Sequence, residues 1–254
     1  MIYNRGELML KFRTAAKMRF VSRLVFIFCA LTLGSLYLLS YYGQQVGDFT
    51  IDLSQELYID KTMILSESVD FNTKNSRLVA VPLGNVNPIG QYGHPEKLPI
   101  EVEASMDEFQ NGSHNGLNFF AYTFYAKNNG EENFSYNLAV YIDESQNNVD
   151  SAVRIMIIRE QDIAGKKLVK TDVYAKPQGI HGEFPGEPEP GSKPFLSSKK
   201  IIDNNRYDFN VGQIDKYIVI MWLHGEDPDC VDIPGRSIRG GQITVSMKFN
   251  VIDL

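Results

Sequence analysis

Alternating apolar and polar side chains, the pattern of half-buried β-strands, recur along most of the chain. The pattern is most regular in residues 48–60, where Phe49, Ile51 and Leu53 alternate with polar side chains. Similar patterns predict strands at residues 63–65, 77–81, 153–158, 167–175 and 242–252. The run YIVIMWL at residues 217–223 does not alternate, so we expect this strand to be buried on both faces, with Trp222 in the core.

The densest strand signal lies at residues 119–142, where two runs of aromatic and β-branched residues flank Asn129 and Gly130. Because an Asn-Gly pair supplies the positive φ angles of a tight reversal, the segment predicts a β-hairpin. Residues 82–116 and 177–199 are instead rich in Gly, Pro, Asn and Ser. They predict long loops, the first of them around one edge strand at residues 98–102.

The longest apolar run is LVFIFCALTLGSLYLLSYY, residues 24–42, which has no charged residue and no proline. A helix of these nineteen residues would be about 28 Å long, close to the hydrocarbon thickness of a bilayer. Its few hydroxyls, including that of Thr32, can bond back to the carbonyls of the same helix. The run therefore predicts one N-terminal transmembrane helix.

The charge distribution predicts how this helix is oriented. Residues 1–23 carry six basic side chains and one acidic side chain, a formal charge of +5; since the whole chain carries −6, the remainder carries −11. Basic flanks stay on the cytoplasmic side, which predicts a basic cytoplasmic tail at 1–23, a signal anchor at 24–42 and an extracytoplasmic domain at 43–254. A cleaved signal peptide is the alternative, but the long apolar core and its end at Tyr41 and Tyr42 favour a retained anchor.

Composition narrows the class of the outer domain. The 15 Phe and 13 Tyr residues favour strands over helices. Of the two cysteines, Cys29 lies in the predicted membrane helix, so Cys230 has no partner for a disulfide in the outer domain. An extracellular domain without disulfides is ordinary in bacteria, which favours a bacterial source. An acidic domain without a basic stripe argues against nucleic acid as a partner.

No strong enzymatic motif is present: the chain has no H-E-x-x-H, G-x-S-x-G, G-x-G-x-x-G or P-loop. We therefore expect no catalytic residue. The histidines occur singly in separate segments and are each expected to be a solvated loop residue; they are His94, His114, His181 and His224. The lone Cys230 is expected to be a small buried residue rather than a reactive thiol.

One polar cluster is a candidate metal site, and its members are Glu226, Asp227, Asp229 and Asp232. Four carboxylates this close repel one another unless they are solvated or share a hard cation such as Ca²⁺. The order D-P-D-C-V-D lacks the glycine and the distal glutamate of an EF-hand loop. The alternative is a rigid acidic turn whose shape is fixed by Pro228, without cofactor.

Two segments carry a resemblance to known proteins. The hairpin sequence FYAKNNGEENFSYNLAVYID, with the basic tail, the apolar anchor and the closing alternating strand, is similar to the camelysin and biofilm-matrix-fibre family of Gram-positive bacteria. Residues 222–230, WLHGEDPDC, resemble a W-L-x-G-x-D-P-x-C motif of anchored surface proteins from the same phylum. This resemblance implies an exported β-sandwich, although that family is normally released by signal cleavage.

These observations predict an all-β fold, an antiparallel two-sheet sandwich of the Ig or jelly-roll type, behind one membrane helix. The favoured function is that of a membrane-anchored structural or adhesive protein of the bacterial surface. Its partners would be the lipid bilayer, through residues 24–42, and either a second copy or an envelope protein. The alternative is a module that binds a ligand or envelope partner through the loops at 82–116 and 177–199, and an unrecognised hydrolase is the third choice.

Overall fold

A computed structural model describes residues 23, 25–29, 32–33, 49–163, 165–177 and 186–252. The chain divides into two compact units, residues 1–45 and residues 46–254. In the first unit the described residues are helical, and the Thr32 hydroxyl lies 3.0 Å from the Phe28 carbonyl, as expected for a hydroxyl that bonds back to its own helix. No helix within the described residues is long and apolar enough to cross a bilayer. Most of the predicted membrane segment lies outside these residues.

The second unit is built mainly of β-strands. The strands are β1 (Phe49–Leu53), β2 (Met63–Ser66), β3 (Arg77–Val79), β4 (Gly112–Ser113), β5 (Phe119–Asn128), β6 (Phe134–Ser145), β7 (Val153–Ile163), β8 (Lys166–Ala175), β9 (Lys193–Pro194), β10 (Lys200–Phe209), β11 (Ile214–Leu223) and β12 (Ile243–Val251). Two short helices, α1 (Gln55–Ile59) and α2 (Ile100–Ser105), and two 3-10 turns, Met106–Glu108 and Val149–Ser151, complete the described elements.

The strands form two sheets in a sandwich-like arrangement. The first sheet has the order β10-β6-β12-β1-β3, and the second has the order β2-β5-β11-β7-β8-β9, with β4 beside β5. The prediction of purely antiparallel sheets is wrong, because β1 runs parallel to β12 and β8 runs parallel to β9. Strands from opposite ends of the chain meet in the β1–β12 pair, and no tight turn between them imposes an antiparallel direction.

Aromatic side chains fill the space between the sheets. The rings of Phe49 and Phe120 lie 5.5 Å apart, and the ring of Phe249 lies 6.2 Å from Phe124 and 5.6 Å from Tyr217. A second apolar cluster covers the opposite face of the second sheet. Strand β11 therefore contributes side chains to both clusters, which confirms that it is buried on both faces.

The predicted hairpin at residues 119–142 is wrong, because β5 belongs to the second sheet and β6 to the first. The connection is an arch between sheets, in which neither Asn129 nor Gly130 adopts a positive φ. The Asn128 amide instead ties the arch, donating to the carbonyls of Glu132 (2.9 Å) and Phe209 (2.8 Å). Both strands are buried along most of their length. In an isolated two-stranded hairpin, one face of each strand would instead be exposed to solvent.

Three further segments differ from their predictions. The second half of residues 48–60 forms α1, because the Ser54 side chain accepts a hydrogen bond from the Leu57 amide (3.3 Å) and caps a helix. The edge strand predicted at 98–102 is wrong: the segment forms α2, which places Val102 in the second apolar cluster. Strand β10 was not predicted, since its central residues are polar and hide the pattern.

Candidate functional site

The segment that follows β11 is fixed at the end of the second sheet by main-chain hydrogen bonds. Ile89 donates to the Leu223 carbonyl (2.9 Å) and accepts from Gly225 (2.9 Å), and His224 donates to the Ala152 carbonyl (2.9 Å). The loop at 82–116 and the β6–β7 connection therefore hold residues 223–225 from two sides. This framework places the acidic turn directly beside the start of β7.

A buried ion cluster lies at the centre of this region. Arg154 on β7 is 2% exposed, and its guanidinium donates to Asp227 Oδ2 (2.6 Å) and to Glu189 Oε2 (3.1 Å). Burial raises the pKa of Asp227, and the charge of Arg154 opposes that shift. One guanidinium therefore connects β7, the acidic turn and the loop that contains Glu189. Separating either carboxylate from it would leave a buried charge unpaired, which costs several kcal/mol.

His224 is the second buried polar group, 1% exposed. The Trp222 indole N–H donates to His224 Nδ1 (3.3 Å), which leaves the proton of the neutral ring on Nε2. Burial, and then the nearby charge of Arg154, lower the pKa of His224 to about 4, although the Pro95 carbonyl favours the charged form. No described group, the nearby Pro95 carbonyl included, lies at hydrogen-bonding geometry from Nε2. At neutral pH the residue is therefore an uncharged hydrogen-bond donor.

Arg154, Trp222 and His224 line a half-open cleft between the two loop regions. Its other walls are Pro95, Glu96, Lys97, Leu98, Val173, Pro190 and Gly191. The empty volume is at most about 220 Å³, which is below the 300–1,000 Å³ typical of pockets for drug-sized ligands. The cleft suits water or a small polar group, and it joins the two loops that the sequence proposed as binding loops.

Three of the four acidic residues of the predicted metal site bind separate partners. Asp227 pairs with Arg154, Asp229 with Arg236 (2.8 Å), and Asp232 accepts from the Ser237 hydroxyl (2.6 Å) and lies 3.4 Å from Arg239. Glu226 packs against Gly90, and its buried Oε2 atom has no hydrogen-bond partner among the residues that the structure describes. Within the described residues, no three His, Cys, Asp or Glu side chains form a group that could hold a metal ion. Calcium binding at Glu226, Asp227, Asp229 and Asp232 stays a prediction, and the ion pairs fit the rigid acidic turn.

The single histidines and the cysteine differ in their surroundings. His94 is exposed and lies 3.3 Å from Glu96, as expected for a loop residue. His114 is half-buried against the ring of Phe109, at 4.7 Å, and burial lowers its pKa. The expectation of a solvated residue is wrong for His224, and His181 lies outside the described residues. Cys230 is partly buried, which raises the pKa of its thiol to about 11.

Sequence reasoning missed Arg154 and Glu189. A usable signal existed for Arg154, the one charged residue in the apolar run VRIMII at residues 153–158. A charge on a strand that is otherwise fully apolar requires a buried partner. Nothing local distinguishes Glu189 from its neighbours in the proline-rich loop, because its partner lies 35 residues away in sequence.

No family model matches this chain, and neither a curated protein nor a solved structure is significantly similar to it. No function is therefore transferred from a relative. The resemblance of residues 119–142 and 222–230 to exported Gram-positive proteins stays a prediction.

Proposed function

We propose that this protein is a single-pass surface protein of a Gram-positive bacterium, whose outer domain has a structural or adhesive role. The observation that carries the proposal is the charge step across the uncharged run at 24–42, from +5 before the run to −11 in the rest of the chain. A basic flank stays inside, so residues 43–254 would lie outside the cell. Residues 24–42 would lie in the lipid bilayer, which is the first proposed partner of the protein.

The properties of the domain support a role outside the cell. Its fold is held by a continuous aromatic core, without the disulfides that secreted animal domains of this kind often use. Buried ion pairs to Arg154 fasten Glu189 and the acidic turn at one end of the domain. We propose that it belongs among the Ig-like and jelly-roll-like sandwiches, a class that the resemblance to exported matrix proteins also implies.

The topology is tested by fusing alkaline phosphatase after Leu254, because this enzyme is active only outside the cytoplasm. We expect an active fusion. The matched control replaces Arg13, Lys17, Arg19 and Arg23 with Glu, which removes the basic flank and should lower phosphatase activity by inverting the anchor. A stable but inactive fusion of the natural sequence would overturn the proposed location.

The cleft supports a second candidate, a module that binds a small polar ligand. Both predicted binding loops line it, and the only tryptophan, Trp222, is part of its wall. Saturable quenching or a wavelength shift of Trp222 fluorescence on titration with small envelope components would support this function. Concentration-dependent self-assembly in sedimentation velocity, without such a shift, would support the structural role.

A further inference from the structure

Strand β8 leaves most of one edge of the second sheet without a described partner. It pairs with β7 along its whole length, from Lys166 to Ala175, whereas β9 covers only Tyr174 and Ala175. The pairing of β11 with β7 stops at Glu160, so the β7–β8 ribbon continues past the rest of the sheet up to Ile163. All side chains from Lys166 to Thr171 are exposed.

Main-chain geometry identifies the groups that point outward along this edge. Phe195 donates to the Ala175 carbonyl (2.9 Å) on the β9 side, so the backbone of Ala175 faces away from β7. Backbone direction alternates along a strand, and the β7–β8 register has no bulge. The N–H and C=O groups of Lys167, Val169 and Thr171 therefore also face outward, with no described strand to receive them.

The side chains of this edge are cationic around an apolar centre. The segment K-K-L-V-K-T at residues 166–171 has three lysines and no acidic residue, in a chain of net charge −6. Two of these lysines have acidic neighbours within the domain, since Lys167 pairs with Glu160 (2.6 Å) and Lys170 lies 3.8 Å from Asp172, but their side chains stay 72% and 54% exposed. Leu168 and Val169 are 49% and 55% exposed. Lysines on a free edge oppose pairing with a second copy of the same edge. They favour an incoming strand with acidic residues at both ends of a short apolar pair.

We propose that β8 is a docking edge for an extended acidic peptide segment of a partner protein, which adds to the second sheet as a further strand. Main-chain hydrogen bonds to residues 167, 169 and 171 would supply affinity, and the lysine–acid pairs would supply specificity. The complement of K-K-L-V-K-T, in antiparallel register, is Thr-Glu-Val-Val-Glu-Glu. The inference deepens the proposed adhesive role and rests on it for the biological setting, but the binding itself does not require a membrane anchor.

The test uses the full chain in detergent and a fluorescent peptide with the sequence Thr-Glu-Val-Val-Glu-Glu, followed by anisotropy. We expect saturable binding that weakens with added salt, because exposed charges are screened. Hydrogen exchange measured by mass spectrometry should slow in residues 166–171 when the peptide is bound. A peptide with lysine in place of glutamate should bind at least about tenfold more weakly.

Two variants separate main-chain pairing from charge. Val169→Pro removes an outward N–H without touching the β7 ladder, and Val169→Ala is its control, since alanine keeps the N–H. We expect proline to weaken binding at least about tenfold relative to alanine. Lys166→Glu with Lys170→Glu should reverse the preference, so that the lysine peptide binds more tightly than the glutamate peptide. Equal melting temperatures of the variants and the natural chain serve as the folding check.

Three results would overturn the proposal. The first is no binding of the glutamate peptide to the folded natural chain, and the second is equal binding by Val169→Pro and Val169→Ala. The third is sedimentation showing that the chain self-associates through this edge and that Val169→Pro prevents it, which would make a second copy the occupant. None of these results bears on the phosphatase fusion, so failure of the docking edge and failure of the proposed location are distinguishable.

Discussion

Individual buried charges decide how the loops are held against the sandwich. Arg154 bonds two carboxylates from two different loops, and Trp222 fixes the ring orientation of His224. Both arrangements occur at positions that are nearly fully buried, where a polar group without a partner costs about 1–3 kcal/mol. Each therefore makes a measurable contribution to the stability of the domain.

Replacing Arg154 with leucine should lower the free energy of unfolding by about 3–5 kcal/mol, because Asp227 and Glu189 would stay buried without their cation. Arg236→Leu is the matched control, since the Arg236–Asp229 pair is partly exposed, with the arginine side chain at 44%. An exposed pair of this kind contributes at most about 1 kcal/mol. Urea unfolding followed by circular dichroism measures both variants, and similar losses for the two would contradict the importance of the buried cluster.

His224 should make the stability depend on pH. Its pKa is about 4 in the folded protein and about 6.5 in the unfolded chain, so the unfolded chain binds the proton first as the pH falls. The stabilising contribution is therefore complete above pH 6.5 and is lost as the pH falls toward 4, by about 3 kcal/mol in total.

Urea unfolding between pH 7.5 and 4 measures this loss. The control is His224→Gln, which keeps a polar side chain of similar size but does not titrate in this range. The difference in stability between the natural chain and His224→Gln should shrink toward low pH, whereas a difference that stays constant would show that the histidine is not held neutral. Comparison with the variant also removes the contribution of Asp227, which both chains retain.

At the scale of elements, local signals identified strands well but did not identify their partners. The patterns at residues 63–65, 77–81, 153–158, 167–175 and 242–252 each contain a strand in the structure, although the strand in 77–81 ends at Val79. The arch at Asn129 and Gly130 carries a hairpin sequence, yet it joins different sheets. Turn propensity is a local property, and it was overridden because both flanking strands gain more by burying their aromatic residues in two sheets.

The arch predicts a specific effect of Gly130→Ala. A Cβ atom there would lie 2.6 Å from the Lys61 carbonyl oxygen, so the backbone has to shift, and we expect a loss of about 1–3 kcal/mol in unfolding free energy. Gly84→Ala is the control, because its Cβ would meet no atom within 4 Å. Equal stability of both variants in urea unfolding would argue against the close approach of the arch to residue 61.

At the scale of the whole molecule, β1 joins the beginning of the domain to its end. It lies between β12 and β3, and Phe49 and Ile51 are completely buried. A strand at the start of a domain can pack in its own sheet or add to the edge of a neighbouring copy. The structure places it inside its own sheet.

Deleting residues 48–60 should therefore abolish the cooperative thermal unfolding transition, because the first sheet loses an interior strand and the core loses Phe49, Ile51 and Leu57. The transition is followed by circular dichroism. Ile59→Ala is the control for nonspecific damage in this segment, since Ile59 is 59% exposed and its loss should change little. A deletion variant that stays folded, and that assembles when a peptide of residues 48–60 is added, would instead show that the strand is exchanged between copies.

The sequence by itself determined the features that depend on nearest neighbours along the chain. These are the uncharged run and its charge step, the strand-rich composition, the burial of β11 on both faces and the core position of Trp222, which is 3% exposed. The period of apolar side chains and the local charge are sufficient for such features, because each is set by residues within one element.

Only the tertiary structure decided which strands pair, in which direction, and which charges are buried together. Arg154 meets Asp227 across 73 residues of sequence, and β1 meets β12 across almost the whole domain. Such contacts depend on the packing of distant segments, which alternation and composition do not encode. For the same physical reason, the sequence did not show that three carboxylates of the acidic turn bind separate arginines and a hydroxyl, and calcium binding there stays a prediction.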